Sequence, residues 1–122
     1  MKNKVVVVVE DDESIRDILQ IILEREGYST INCKDGHQIF NGAVEVPDLY
    51  MIDRQLSGAD GLEICRYLKQ QASTSEVPII ILSATPGIEN IARNAGANAF
   101  IEKPFSKKHL VETVENVING RL

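Results

Sequence analysis

Three carboxylates, one hydroxyl and one ammonium recur at matching places in this chain: Glu10 and Asp11, Asp53, Ser83, and Lys103. Each stands at or just beyond the end of a short, strongly apolar run. If those runs are parallel neighbours in one sheet, the five side chains emerge together at its carboxyl edge, where open parallel sheets bind ligands. Ionised, Glu10, Asp11 and Asp53 carry three negative charges against the single positive charge of Lys103. Crowded carboxylates repel, which raises at least one pKa. A divalent cation would balance the set, and Mg²⁺ suits it, because Mg²⁺ takes oxygen ligands and few protein carboxylates while keeping waters. No local His/Cys cluster offers a zinc or copper site. A carboxylate beside Mg²⁺ and a lysine can attack phosphorus, while metal and ammonium neutralise charge building on the phosphoryl oxygens. Asp53, central among these groups, is the best candidate nucleophile.

The elements that must position these residues are legible as two alternating patterns. Apolar, β-branched runs occur at Val5–Val9, Ser29–Cys33, 48–52, 78–82 and 99–101. Helical spacing lies between them. Ile15, Ile18, Leu19, Ile22 and Leu23 predict a helix over 14–26, stopped by Gly27. A short helix after Asp35 is expected to bury Ile39 and Phe40. A third begins at Asp60 as N-cap and buries Leu62, Cys65 and Leu68. A fourth, short helix covers 88–95 before Gly96. The fifth, capped by Ser106, sets Leu110, Val114, Val117 and Ile118 on one stripe and ends at Gly120. Continuous apolar runs imply strands buried on both faces, hence parallel pairing with right-handed crossovers. The expectation is one three-layer, doubly wound α/β domain over residues 1–122, with no linker or repeat.

Composition narrows the function. An apolar content of 43% in 122 residues supports a folded core. A net charge of -5 argues against a nucleic-acid surface. The apolar stretch at Val5–Val9 is too short for a membrane span, and the acids at 10–12 end it too early for a signal peptide, so a cytoplasmic location is expected. Cys33 and Cys65 read as small buried thiols, and His37 and His109 as surface residues. Taken alone, Glu10-Asp11-Asp12-Glu13 would be only an acidic first turn favouring the helix dipole. Its coincidence with Asp53, Ser83 and Lys103 outweighs that reading.

The stretches Val7-Val8-Val9-Glu10-Asp11-Asp12-Glu13, Met51-Ile52-Asp53, Asp60-Gly61, Leu82-Ser83-Ala84, and Gly96-Ala97 with Lys103-Pro104-Phe105 resemble the receiver domain of two-component response regulators. The resemblance covers essentially the whole chain and implies a five-stranded, flavodoxin-like parallel sheet of order 2-1-3-4-5. It implies that Asp53 is the phosphoacceptor of a phosphorelay. Asp11 and Asp53 become direct Mg²⁺ ligands, joined by the main-chain carbonyl of Gln55, with Glu10 acting through metal-bound water. Asp11 and not Asp12 is the ligand by register, because Arg16 follows it at the family's usual distance. Ser83 resembles the switch hydroxyl, Lys103 the ammonium partner, and Lys103-Pro104 the family's cis peptide. Phe100 occupies the switch-aromatic position, and Gln55 and Thr85 the positions that tune phospho-aspartate hydrolysis. A sensor histidine kinase or phosphotransfer protein is implied as donor. A downstream protein or fused output domain is implied as target. On this reading the domain is not an enzyme beyond its own phosphorylation and slow dephosphorylation.

Three departures stand out. Ser57 replaces the usual Pro, which suggests a freer loop after Asp53. Phe100 lacks the hydroxyl of the commoner Tyr. The segment from Ser83 to Lys103 is shorter than usual, on a face that receivers use for output. Among other classes, an FMN binder of the same fold would want backbone donors, not Glu10-Asp11-Asp12, after its first strand. An aspartate-nucleophile phosphatase resembles Asp-x-Asp after strand one, whereas here Asp53 follows strand three and position 55 is Gln. A receiver-like interaction module that is never phosphorylated is the remaining alternative.

Overall fold

The computed structural model describes residues 4–120, so the outermost residues of the expected 1–122 domain lie outside the described part. Five strands alternate with five helices: β1 (Val5–Val9), α1 (Glu13–Arg25), β2 (Ser29–Cys33), α2 (His37–Phe40), β3 (Leu49–Asp53), α3 (Gly61–Gln70), β4 (Ile79–Ser83), α4 (Glu89–Asn94), β5 (Ala99–Glu102) and α5 (Lys107–Ile118). The strands form one parallel sheet in the order β2-β1-β3-β4-β5, as the resemblance implies.

Parallel pairing explains why β1, β3 and β4 are almost wholly apolar. Alternate residues face opposite layers, and both layers are covered. Val7, Val9, Tyr50, Ile52, Ile79 and Ile81 pack under α2, α3 and α4. Val6, Val8, Leu49, Met51, Ile80 and Leu82 pack under α1 and α5. Local capping starts the longer helices. The Asp12 carboxylate accepts the Ile15 N–H at 3.0 Å, and Ser106 Oγ accepts the His109 N–H at 3.0 Å. Asp60 and Glu63 form a reciprocal capping box at the start of α3.

Four expectations are corrected. Strand β2 is not buried on both faces: only Cys33 at its end is fully buried, because β2 is an edge strand. In α2, Ile39 is buried but Phe40 is 41% exposed and meets Tyr67 edge-on at 5.0 Å between ring centroids. Four residues make one helical turn, and one turn points only one large side chain inward. In α1, Leu19 and Leu23 carry the packing, while Ile18 is 50% exposed at the margin of the stripe. The boundaries of β3, β4 and β5 also fall one residue later than expected at their carboxyl ends, so Asp53 and Ser83 belong to their strands.

Candidate functional site at the carboxyl edge of the sheet

Strand register brings the chemistry together. Val9 pairs with Ile52, Asp53 with Leu82, and Ser83 with Glu102. Glu10, Asp53, Ser83 and Lys103 therefore end adjacent strands at one level. The backbone continues the ladder beyond them, with Glu10 N–H donating to the Cys33 carbonyl and Lys103 N–H to the Ser83 carbonyl, both at 2.9 Å.

Lys103 is the hub. Its Nζ lies 2.9 Å from Glu10 Oε1 and 3.1 Å from Asp53 Oδ1. Glu10 is 1% exposed and Asp53 5%. Two buried acids sharing one ammonium are tolerable because the cation is hydrogen-bonded to both. Burial pushes the Glu10 carboxyl above its usual range. The Lys103 hydrogen bond pulls it back, and the Asp53 charge raises it further. For Lys103, burial favours the neutral amine, but the hydrogen bonds its ammonium donates to Glu10 and Asp53 outweigh it and hold the pKa above the ordinary lysine value. The Glu10 loop is braced as well: Arg16 Nη1 donates to the Glu10 carbonyl at 2.8 Å, and Asp12 N–H donates to Glu10 Oε2 at 3.2 Å.

Asp11 is exposed and close by. One carboxylate oxygen from each of Glu10, Asp11 and Asp53 lies within 4.8 Å of the others. Three convergent oxygen donors, with no nitrogen or sulfur among them, fit a hard divalent cation. Asp12 sits outside this set, its carboxylate committed to the α1 cap.

The rest of the predicted residues surround this core unequally. Ser83 is fully buried, and its Oγ accepts the Thr85 N–H at 3.0 Å, inside the β4–α4 loop. Gln55 is exposed and pairs with Asp60 in a lone antiparallel bridge that closes the β3–α3 loop. Phe100 is half-buried on β5 and packs against the core under α2, α3 and α4. The Lys103–Pro104 peptide is cis.

Two residues were under-read in the sequence. Ser57, expected to free its loop, instead donates to Asp11 Oδ2 from both its N–H (3.2 Å) and its Oγ (3.1 Å). Proline could make neither bond. Gly61 was noticed only as part of a motif. Its Cα packs against the backbone of Asp53 and Arg54, so that a Cβ would collide with the Asp53 carbonyl. Its N–H also donates to the Arg54 carbonyl at 2.7 Å. No other residue type leaves room for the chain to fold back so close to Asp53.

This fold and site define a class. The response regulator receiver domain matches residues 6–115, and the chain belongs to that family. It is thus a phosphorelay signalling domain. It is 34% identical over 116 residues to the phosphate regulon transcriptional regulatory protein PhoB of Klebsiella pneumoniae, covering 93% of this chain and 51% of that protein. The chain spans about half the length of the curated relatives it matches. A solved chain from Chloroflexus aurantiacus J-10-fl, classed with the response regulators, superposes with a TM-score of 0.91 at 29% identity, covering 97% of this chain and 99% of that one. The receiver domain of sensor histidine kinase PA1611 from Pseudomonas aeruginosa PAO1 superposes with a TM-score of 0.87 at 26% identity, covering 97% and 99%. That domain has a magnesium ion coordinated in its active-site cleft.

Proposed function

We propose that Asp53 is the phosphoacceptor, and that Mg²⁺ is held by Asp11, Asp53 and the main-chain carbonyl of Gln55, with Glu10 acting through a metal-bound water. The observation that carries this reading is Lys103 Nζ bridging Glu10 and Asp53 at 2.9 and 3.1 Å beside a cluster of oxygen donors. A carboxylate held by an ammonium at the open edge of a sheet is a nucleophile with its charge partner already in place. Mg²⁺ would supply charge neutralisation on the phosphoryl oxygens and fix their orientation.

In the transfer, an Asp53 carboxylate oxygen forms an O–P bond as the N–P bond of a donor phosphohistidine breaks, and the imidazole leaves with that electron pair. A histidine kinase, a phosphotransfer protein or a small donor such as acetyl phosphate can supply the group. Lys103 and Ser83 receive the phosphoryl oxygens. For Ser83 this means turning from its bond with the Thr85 N–H. Phe100 follows by repacking, since it has no hydroxyl to anchor either rotamer. The added charge shifts an existing equilibrium between two surfaces, read by a downstream protein or fused output domain. The domain acts in the cytoplasm, on protein partners and not nucleic acid, and catalyses only its own phosphorylation and dephosphorylation. A purely structural interaction module is the lesser reading, because Asp53 and Lys103 are both present and paired.

The test is labelling with acetyl phosphate and Mg²⁺. Asp53→Asn is expected to abolish Mg²⁺-dependent labelling, and undiminished labelling of that variant refutes the assignment.

A further inference from the structure

Ser57 is bonded to Asp11 across a gap of 46 residues, through two donors converging on one carboxylate oxygen. Asp11 lies on the exposed loop after β1, and among the described residues no other side chain donates a hydrogen bond to it. An exposed aspartate with free χ angles loses rotamer entropy when it ligates a metal. One whose second oxygen is already held loses less. Carboxylates that ligate metals are commonly held in this way by a hydrogen bond to the oxygen that faces away from the ion.

The partner that holds Asp11 comes from the β3–α3 loop, the same loop that carries Gln55. The loop is drawn shut by the Gln55–Asp60 bridge and turns through Gly58 at φ +83°. Ser57 therefore joins the loop after Asp53 to the loop after β1, and ties the ends of two strands that both supply the carboxylate cluster. The Oγ contribution belongs to serine or threonine alone, and the N–H contribution is lost to proline.

We propose that Ser57 is a positioning residue for the divalent-cation site. It holds Asp11 Oδ2 so that Oδ1 is presented to the metal, and it draws the β3–α3 loop into the ligand set. This rests on the reading of Asp11 as a metal ligand.

The experiment is titration calorimetry of the whole chain with Mg²⁺ alone, without phosphodonor, on Ser57→Ala, Ser57→Pro, Ser57→Thr and Asp11→Asn. Loss of a residue that orients a metal ligand typically weakens binding by about 10–100-fold. The exposure of Asp11 sets the expectation at the low end of that range. Ser57→Ala and Ser57→Pro are expected to weaken Mg²⁺ binding about tenfold. Ser57→Thr, which keeps both donors, is expected to bind like the parent. Equal melting temperatures in EDTA separate this effect from a loss of folding. Unchanged affinity in Ser57→Ala overturns the proposal, and so does Ser57→Thr weakened as much as Ser57→Ala. If Asp11→Asn binds Mg²⁺ as well as the parent, the underlying metal reading fails. If Asp11→Asn loses Mg²⁺ while Ser57→Ala keeps it, only the role of Ser57 fails.

Discussion

Lys103 Nζ and Glu10 Oε1 stand 2.9 Å apart although 93 residues separate them in the chain. The contact closes the sheet edge, because Lys103 also reaches Asp53 at 3.1 Å. One cation thus holds together acids from β3 and from the loop after β1.

Removing that cation separates stability from metal binding. Lys103→Met leaves Glu10 and Asp53 buried beside each other without a positive partner. Loss of one partner of a buried pair costs about 3–5 kcal/mol in full burial, and the open edge of this site brings the expected loss to about 2 kcal/mol in Mg²⁺-free buffer. The same variant is expected to bind Mg²⁺ more tightly than the parent, because the site loses a competing positive charge. Denaturant melts and Mg²⁺ titration check the two halves. Weaker Mg²⁺ binding in the variant would count against a metal site next to Lys103.

Gly61→Ala tests how closely the chain approaches Asp53. A Cβ at this position collides with the Asp53 carbonyl, and rigid backbone lies on both sides of the contact. Overpacking of this kind costs about 1–3 kcal/mol. The relief available is a displacement of Asp53 itself. Phosphorylation by acetyl phosphate is therefore expected to slow more in Gly61→Ala than in an exposed-site control of equal stability. Parent-like labelling from a destabilised Gly61→Ala would show that the strain is relieved elsewhere.

Alkaline pH probes the core. Burial raises the Cys65 thiol from 9.0 to about 11, the nearby Lys69 and Arg66 charges pulling it back only in part. The native state then holds a proton that the unfolded chain has released. The sign follows from proton counting: stability is full below about pH 9 and is lost as pH climbs toward about 11. The shift corresponds to about 3 kcal/mol across that window. Tyr50, raised by burial to about 12, continues the same trend at higher pH. Urea melts from pH 7 upward should show the Cys65→Ala variant converging on the parent as pH rises. A constant gap between the two would exclude the thiol as the cause.

Gln55 and Thr85 share one groove with Arg54, Leu56, Ala59 and Asp60, formed by the loops that follow Asp53 and Ser83. On the proposed reading, water attacking an acyl phosphate on Asp53 would have to pass these side chains. Exchanging the two side chains is expected to change the decay rate of the phosphorylated protein severalfold while leaving Mg²⁺ affinity near that of the parent. An unchanged decay rate would remove both residues from control of the lifetime.

Much of this arrangement is written locally in the chain. A strand buried on both faces must be apolar at every position, so Val5–Val9 announces itself, and 78–82 does so within a residue of its observed strand. Helix caps are equally local: Asp60 and Ser106 act within three residues of themselves. Parallel strands point their ends one way, so Glu10, Asp53, Ser83 and Lys103 could be assigned to one edge from their positions alone. What covers each residue is a different matter, since it depends on segments distant in sequence. The open flank of β2, the exposure of Phe40 and Ile18, and the collision space around Gly61 follow from packing, not from local pattern. The bond between Ser57 and Asp11 is of the same kind. Composition supplied a serine in a loop, and only the path of that loop across the sheet edge gave its hydroxyl and its N–H a carboxylate to hold.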